Sequence, residues 1–123
     1  MGNFNKLQEW RNSKDLAVKI YMITGRGKFL DDDTLRNQLR RSVVKISSYL
    51  AEGEESETQS VCIRNFNIAI ESLAKLRTQI EIAREIGYIK ERDYTEVNDF
   101  IGHFSKRLNR LKHFRQIQYA EKT

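Results

Sequence analysis

A row of basic side chains recurs at helical spacing near the end of the chain. Lys106, Arg107 and Arg110 lie within two turns of one another, and His113 follows one turn later. Residues three and four positions apart project from the same side of an α-helix. Cations grouped in this way neutralise phosphates and release counterions, which supplies much of the affinity for nucleic acids. The row therefore predicts a polyanion-binding surface.

Further basic and aromatic side chains extend this row. Lys112 and Arg115 lie next to it, and Phe114 or a histidine could stack on an unpaired base. The same pattern is also that of an ordinary solvated helix face. A third interpretation is pairing between subunits with the acidic cluster at residues 52–57, which contains four glutamates. The pattern alone leaves these three interpretations open.

A second pair of cations, Arg40 and Arg41, begins a segment with an apolar helical stripe. On an ideal helix Arg40 lies beside the stripe with the small residues Ser47 and Ala51, whereas Arg41 lies opposite it with Lys45. Small residues allow helices to approach closely, so we predict that Arg40 contacts another helix or subunit, with a carboxylate as one candidate acceptor. Arg41 faces solvent and is a candidate phosphate contact, because guanidinium binds carboxylate and phosphate alike.

Catalytic and metal-binding chemistry finds little support in the residue pattern. His103 and His113 are ten residues apart, whereas two histidines that share a metal on a helix usually lie one turn apart. The single cysteine, Cys62, has no disulfide partner and is interpreted as a small core residue. Three aspartates at 31–33 fit a helix cap better than a metal site. We expect no enzymatic activity, no metal and no other cofactor.

The composition favours a helical protein. The chain has 123 residues, no proline, six glycines and a formal net charge of +5. Charged residues make up 32% and hydrophobic residues 39% of the chain, which suits amphipathic helices. No window contains the roughly 20 apolar residues of a membrane span, and no signal peptide is recognisable. We expect one domain over residues 1–123, located in the cytoplasm and without a membrane partner.

Apolar periodicity divides the chain into four helices with approximate bounds 7–24, 33–52, 57–86 and 92–115. Gly53 is predicted to end the second helix, because glycine commonly follows the last helical residue. Four long helices joined by short connections predict an all-α fold, an antiparallel up-and-down four-helix bundle.

Each helix carries an apolar face that predicts its core residues. These are Trp10, Ala17, Ile20, Tyr21 and Thr24; then Leu35, Leu39, Val43, Ile46 and Leu50; then Cys62, Phe66, Ala69, Leu73, Leu76, Ile80 and Ala83; and finally Val97, Phe100, Ile101, Phe104, Leu108 and Leu111. In the third helix Ile63, Ile70 and Ala74 widen the apolar face beyond what one core covers. We therefore expect a homo-oligomer with Ile63, Ile70, Ala74 and Arg40 at its interface.

The segment QLRRSVVKISSYLAEG, residues 38–53, resembles the signature of the 23S-rRNA intervening-sequence proteins, also called the four helix bundle protein family. In that family an Arg-Arg pair precedes a helix rich in alanine and serine that ends in Asn-Ile-Ala-Glu-Gly. The matching residues here are Gln38, Arg40, Arg41, Ile46, Ala51, Glu52 and Gly53. Residues 7–24 and 65–89 also resemble the first and third helices of the family.

The chain departs from the family pattern at several positions. The serine, proline and asparagine that precede Ile-Ala-Glu-Gly are replaced by Lys45, Ser47 and Tyr49. Lys75 stands where the family usually has glutamate, and Glu54 or Glu55 replaces a basic residue. Several of these differences change the local charge, so family contacts at these positions do not transfer to this chain.

The resemblance implies a small bacterial helical bundle that assembles as a homopentameric ring and is proposed to bind nucleic acid. The same superfamily contains the accessory variability determinants of diversity-generating retroelements, which bind a reverse transcriptase and its RNA template. We therefore expect a noncatalytic, oligomeric protein that binds nucleic acid, with structured RNA favoured. The alternative is a protein-interaction scaffold, including an accessory subunit of a retroelement reverse transcriptase.

Overall fold

The computed structural model describes residues 3–122, and all its regular elements are helices. Two short 3₁₀ helices and four α-helices follow in the order Phe4–Lys6, α1 Gln8–Thr24, Gly27–Asp31, α2 Asp33–Glu55, α3 Gln59–Glu85 and α4 Glu91–Lys122. No strand occurs in the described residues, so the predicted all-α class is confirmed. Residues 1, 2 and 123 of the predicted domain lie outside this range.

Helices that follow one another in the sequence are also neighbours in space. α1 packs on α2, α2 on α3 and α3 on α4, and α4 returns to pack on α1. Short connections reverse the chain between consecutive helices, which makes neighbouring helices antiparallel. α2 and α4 therefore lie on a diagonal of the protomer. This arrangement fits the predicted up-and-down bundle.

The core consists of the apolar stripes of all four helices. Every predicted main-face residue of α3, from Cys62 to Ala83, is buried. Phe66 and Phe104 are completely buried, as is Phe29 from the connection between α1 and α2, which periodicity did not predict. Complete burial of such a side chain contributes about 2 to 3 kcal/mol. The apolar periodicity therefore identified most of the residues that stabilise the bundle.

The buried side of α1 differs from the predicted one. Ile20 and Thr24 are buried as predicted, but Tyr21 is 44% exposed. Leu16 and Ile23 take the core positions on this helix instead. A tyrosine can lie at the edge of a core because its ring packs while its hydroxyl stays hydrated.

Side-chain caps fix the beginnings of α2 and α3. Asp32 accepts a hydrogen bond from the backbone N–H of Leu35 at 3.0 Å, and Thr58 accepts one from Val61 at 3.2 Å. The Tyr88 hydroxyl donates to the second carboxylate oxygen of Asp32 at 3.0 Å. The Leu35 N–H and this hydroxyl hold the pKa of Asp32 below its usual value. The aspartate run therefore caps a helix, and Asp32 is the residue that does so.

Two helices extend beyond their predicted ends. α2 passes through Gly53 and ends at Glu55, and α4 continues beyond residue 115 to Lys122. Gly53 is buried, and a β-carbon at this position would lie 2.7 Å from Cε1 of Phe66. The prediction that Gly53 stops the helix is wrong, because this glycine makes room for a neighbouring ring within the helix.

Candidate nucleic-acid interface

α4 presents part of the predicted basic row to solvent. Lys106 and Arg110 lie one turn apart, are exposed, and have no acidic partner among residues 3–122. His113 and Phe114 are also exposed and continue along the same side of the helix. We call these four residues the α4 basic row. The charges of Lys106 and Arg110 are not neutralised within the protomer, so they remain available to a polyanion.

Arg107 lies beside this row but is paired within the protomer. Its Nε donates to Oε1 of Glu9 at 3.3 Å, and the same carboxylate oxygen accepts a hydrogen bond from Asn12 at 3.1 Å. The pair connects α4 to the first turn of α1. Glu9 lies 98 positions from Arg107 in the sequence, so the spacing along α4 did not show that one of the predicted cations is neutralised.

Arg115 is also engaged within the protomer. Its Nη2 donates to both carboxylate oxygens of Glu54, at 2.7 and 2.9 Å, and the two side chains are only 16% and 13% exposed. Arg115 thus pairs with Glu54, a member of the acidic cluster at 52–57, within one chain. Arg115, a predicted phosphate contact, therefore makes a structural contact in the protomer. Lys112 is half-buried and has no acidic partner among the described residues.

Arg40 holds the C-terminal end of α1. Its Nε donates to Oγ1 of Thr24 at 2.9 Å, and its Nη2 donates to the carbonyl of Tyr21 at 3.3 Å. The guanidinium also lies over the Tyr21 ring, 4.5 Å from its centroid. The last carbonyls of a helix lack intrahelical partners and favour a nearby cation. Arg40 therefore contacts another helix as predicted, through a hydroxyl and a carbonyl and not through a carboxylate.

Arg41 borders a groove between α2 and α3 that periodicity within single helices did not reveal. The groove is lined by Gln38, Arg41, Ser42 and Lys45 of α2 and by Ser72, Lys75 and Gln79 of α3. We call it the α2–α3 groove. Three of its residues are cations and none is a carboxylate. Lys75 joins the other two cations only because the helices pack side by side, which a helical wheel for one segment does not show.

The other residues of the signature segment have different environments. Ala51 is half-buried, and Gly53 is buried against Phe66. Glu52 is exposed and has no hydrogen-bond or ion-pair partner among the described residues. In the signature, Ala51 and Gly53 therefore pack within the protomer, whereas the carboxylate of Glu52 between them faces solvent.

The residues predicted for an oligomer interface lie on two opposite sides of the bundle. Arg40 is at the α1–α2 side, whereas Ile70 and Ala74 border a shallow depression between α3 and α4. Ile63 and Ile70 are half-buried within the protomer, and Ala74 is exposed. These four residues therefore do not form one continuous patch.

The groups with catalytic potential lie apart from one another. Cys62 is completely buried, and desolvation raises the pKa of its thiol, so it lacks the thiolate that a nucleophile needs. His103 and His113 are both exposed on α4. Over residues 3–122, no group of three or more His, Cys, Asp or Glu side chains is placed to hold a metal ion. In the same range no helix is both long and apolar enough to cross a membrane.

Comparison with models of protein families identifies the family of this chain. The model of the family described as 23S rRNA-intervening sequence protein matches residues 5–110. The chain belongs to this family. The resemblance inferred from the signature segment is thereby confirmed. The comparison with curated proteins gives no match.

A solved structure supports the bundle architecture of this chain. It is the crystal structure of a protein with unknown function from the S23 ribosomal protein family of Bacteroides thetaiotaomicron. The two chains are 20% identical, the match covers 85% of this chain and 97% of the other, and the TM-score is 0.74. At this level of identity the comparison supports the fold alone. Since the family match ends at residue 110, Lys112, His113 and Arg115 lie beyond it.

Proposed function

We propose that this member of the family is a noncatalytic nucleic-acid-binding protein with structured RNA as its favoured ligand. The observation that carries the proposal is the pair formed by Lys106 and Arg110. Both side chains are exposed, lie one turn apart on α4, and have no carboxylate partner among residues 3–122. Phosphates fit such a pair, and the binding free energy then depends strongly on salt concentration.

Phe114 adds a contact that favours unpaired bases. Its side chain is 54% exposed and follows Arg110 by one helical turn. Stacking of a base on an aromatic side chain contributes about 1 to 3 kcal/mol. RNA loops and bulges offer such bases, whereas those of duplex DNA are stacked inside the helix. The combination of two cations and one aromatic ring therefore favours structured RNA over duplex DNA.

Assembly into a ring-shaped homo-oligomer, which the family resemblance implies to be a pentamer, forms part of this proposal. In a cyclic ring with more than two subunits, each subunit uses two different surface patches. The predicted interface residues lie on two opposite sides of the bundle, and exposed Val44 lines a depression with Arg40 on one of them. A ring would repeat the α4 basic row, and avidity would strengthen the weak contacts of each copy.

The test is a fluorescence-anisotropy titration of the full chain with a structured RNA hairpin and a matched DNA duplex over a salt series. We expect tighter binding to the RNA and a steep salt dependence. Lys106→Gln/Arg110→Gln is expected to weaken RNA binding and to reduce the salt slope by about one to two, one unit for each lost phosphate contact.

Lys28→Gln/Lys90→Gln is the matched control, because it removes the same charge from exposed lysines in two of the three interhelical connections. Equal weakening by both double variants would indicate only a nonspecific effect of net charge. If the wild-type protein binds neither nucleic acid at low salt, the proposal is wrong. The basic face would then be assigned to an acidic protein partner, as in a reverse-transcriptase accessory subunit.

A further inference from the structure

We infer that the α2–α3 groove binds one ribose-phosphate unit of an RNA strand. In this assignment Arg41, Lys45 and Lys75 contact the phosphate, and Gln79 accepts a hydrogen bond from the ribose 2′-hydroxyl. The inference rests on the proposed RNA binding and adds a second contact to it. The groove lies between α2 and α3, whereas the α4 basic row is on the outer side of a different helix.

The three cations of the groove have no counter-charge. No carboxylate lines the groove, and no ion pair involves Arg41, Lys45 or Lys75 among the described residues. Within residues 3–122, the Lys45 ammonium lies 5.8 Å from the centroid of the Tyr49 ring, a contact that leaves the positive charge in place. Like charges gathered in one concave surface attract an anion, and a guanidinium can bind phosphate through two parallel hydrogen bonds.

Gln79 indicates that the ligand carries a hydrogen-bond donor as well as a phosphate. Its Oε1 has no hydrogen-bond partner within residues 3–122 and is shielded from solvent, so the amide rotates about its terminal bond to present this oxygen to a ligand in the groove. A buried carbonyl oxygen without a donor is unfavourable, so a ligand gains affinity by supplying one. Ionised phosphate oxygens only accept hydrogen bonds. The ribose 2′-hydroxyl donates one, and its absence from DNA makes it the group by which a protein distinguishes RNA from DNA.

The dimensions of the groove fit a single nucleotide unit. Its volume is about 250 Å³, below the roughly 300 Å³ at which pockets for drug-sized ligands begin. Ser42 and Ser72, both buried, line it with small side chains, so the space between the two helices stays open. A duplex does not fit a depression of this size. The groove therefore suits the backbone of a single strand or a loop.

The experiment compares a labelled oligouridylate with an oligodeoxyuridylate of the same length, measured by anisotropy with the full chain. Arg41→Gln/Lys75→Gln is expected to weaken oligouridylate binding about tenfold or more, because two phosphate contacts are lost. Gln79→Met preserves side-chain length and removes the acceptor. This variant is expected to lose the preference for the ribose form while its affinity for the deoxyribose form stays unchanged.

Lys106→Gln/Arg110→Gln, measured in parallel, separates this inference from the proposed function. If Lys106→Gln/Arg110→Gln weakens binding and Arg41→Gln/Lys75→Gln does not, the groove is not a site and the function of the α4 basic row stands. The reverse result supports the groove and contradicts the role of the row. No binding by the wild-type protein overturns both.

The 2′-hydroxyl contact has its own control. If Gln79→Met retains the wild-type preference for oligouridylate, the assigned contact is wrong. Should that variant melt at a lower temperature than the wild type, Gln79→Leu, which also lacks the acceptor, replaces it as the test of the 2′-hydroxyl contact. Gln79→Glu tests the placement of the phosphate. Gln79→Glu keeps an acceptor and adds a negative charge beside the phosphate, so it is expected to weaken both oligonucleotides. Unchanged affinity for both would overturn the placement of the phosphate in the groove.

Discussion

Arg115 and Glu54 form an ion pair across the diagonal of the bundle. One guanidinium nitrogen of Arg115 donates to both carboxylate oxygens of Glu54, and the two side chains are largely buried. α2 and α4 have no direct backbone packing, so this side-chain contact links them. Desolvation offsets much of the attraction in such a pair, but the loss of one partner leaves the other charge buried and unpaired.

Arg115→Met is therefore expected to lower the free energy of unfolding by about 2 to 4 kcal/mol. Arg110→Met is the matched control, because Arg110 is exposed on the same helix, and its effect is expected to stay within about 0.5 kcal/mol. Urea denaturation measures both. Addition of Glu54→Leu to Arg115→Met should recover part of the loss. Equal stability of Arg115→Met and Arg110→Met would show that the pair does not stabilise the bundle.

Two glycines within helices are expected to respond to alanine in opposite directions. A β-carbon at Gly53 would lie 2.7 Å from the Phe66 ring and 3.2 Å from the Cys62 carbonyl, so Gly53→Ala should cost about 1 to 3 kcal/mol. Gly102, within α4, has no atom within 4 Å of that position. Gly102→Ala should stabilise the protein by about 0.5 to 1 kcal/mol. Thermal and urea unfolding would contradict this account if Gly53→Ala were also stabilising.

Reversal of charge should distinguish the two adjacent arginines of α2. Arg40→Glu replaces a donor to Thr24 and Tyr21 by a negative charge at the C-terminal end of α1, and a loss of about 2 kcal/mol is expected. Arg41→Glu alters an exposed side chain and should change stability by less than about 0.5 kcal/mol. Circular dichroism melting and light scattering measure stability and mass. An Arg40→Glu protein with the wild-type melting temperature and mass would contradict the structural role.

Asp32 is expected to make stability depend on pH in acid. The Leu35 N–H, followed by the Tyr88 hydroxyl, lowers its pKa in the folded protein below the ordinary value of 3.8. The unfolded chain therefore takes up this proton first as the pH falls. The contribution of Asp32 is complete above the unfolded pKa and is lost as the pH falls through the folded pKa.

Asp32→Asn retains an oxygen that caps the helix but does not titrate. The wild-type protein should be more stable than this variant at neutral pH, and the difference should shrink below about pH 4. Urea unfolding of both proteins from neutral pH to about pH 3 provides the measurement. A difference that stays constant over this range would show that the carboxylate does not contribute through its charge.

Residues that act within one helix were predictable from the sequence. The repeating apolar positions of α2 and α3, from Leu39 to Ala83, are buried as periodicity predicted. The cap at Asp32 followed from its position before an apolar stripe. Only α1 departed from its predicted face, since Tyr21 and Leu16 exchanged expected environments. The spacing of apolar residues along a helix determines which side of it is apolar, and that side packs into the core.

Residues that act between helices were not predictable in the same way. The partners of Arg107 and Arg115 lie 98 and 61 positions away in the sequence. The spacing along α4 therefore could not show which of its cations are neutralised. Likewise Lys45 and Lys75, both departures from the family pattern, line one groove only because α2 and α3 pack against each other. Such groupings depend on the relative register of two helices, which periodicity within each helix does not specify.

The contact between Gly53 and Phe66 determines what the signature of the family indicates about a protein that contains it. The segment ends at a glycine whose missing side chain lets an aromatic ring of the next helix interlock with it. The motif therefore identifies how α2 and α3 pack against each other. It does not identify what the protein binds. Differences in activity among proteins that share it should be sought on their outer surfaces, at positions such as Lys75 and Lys106.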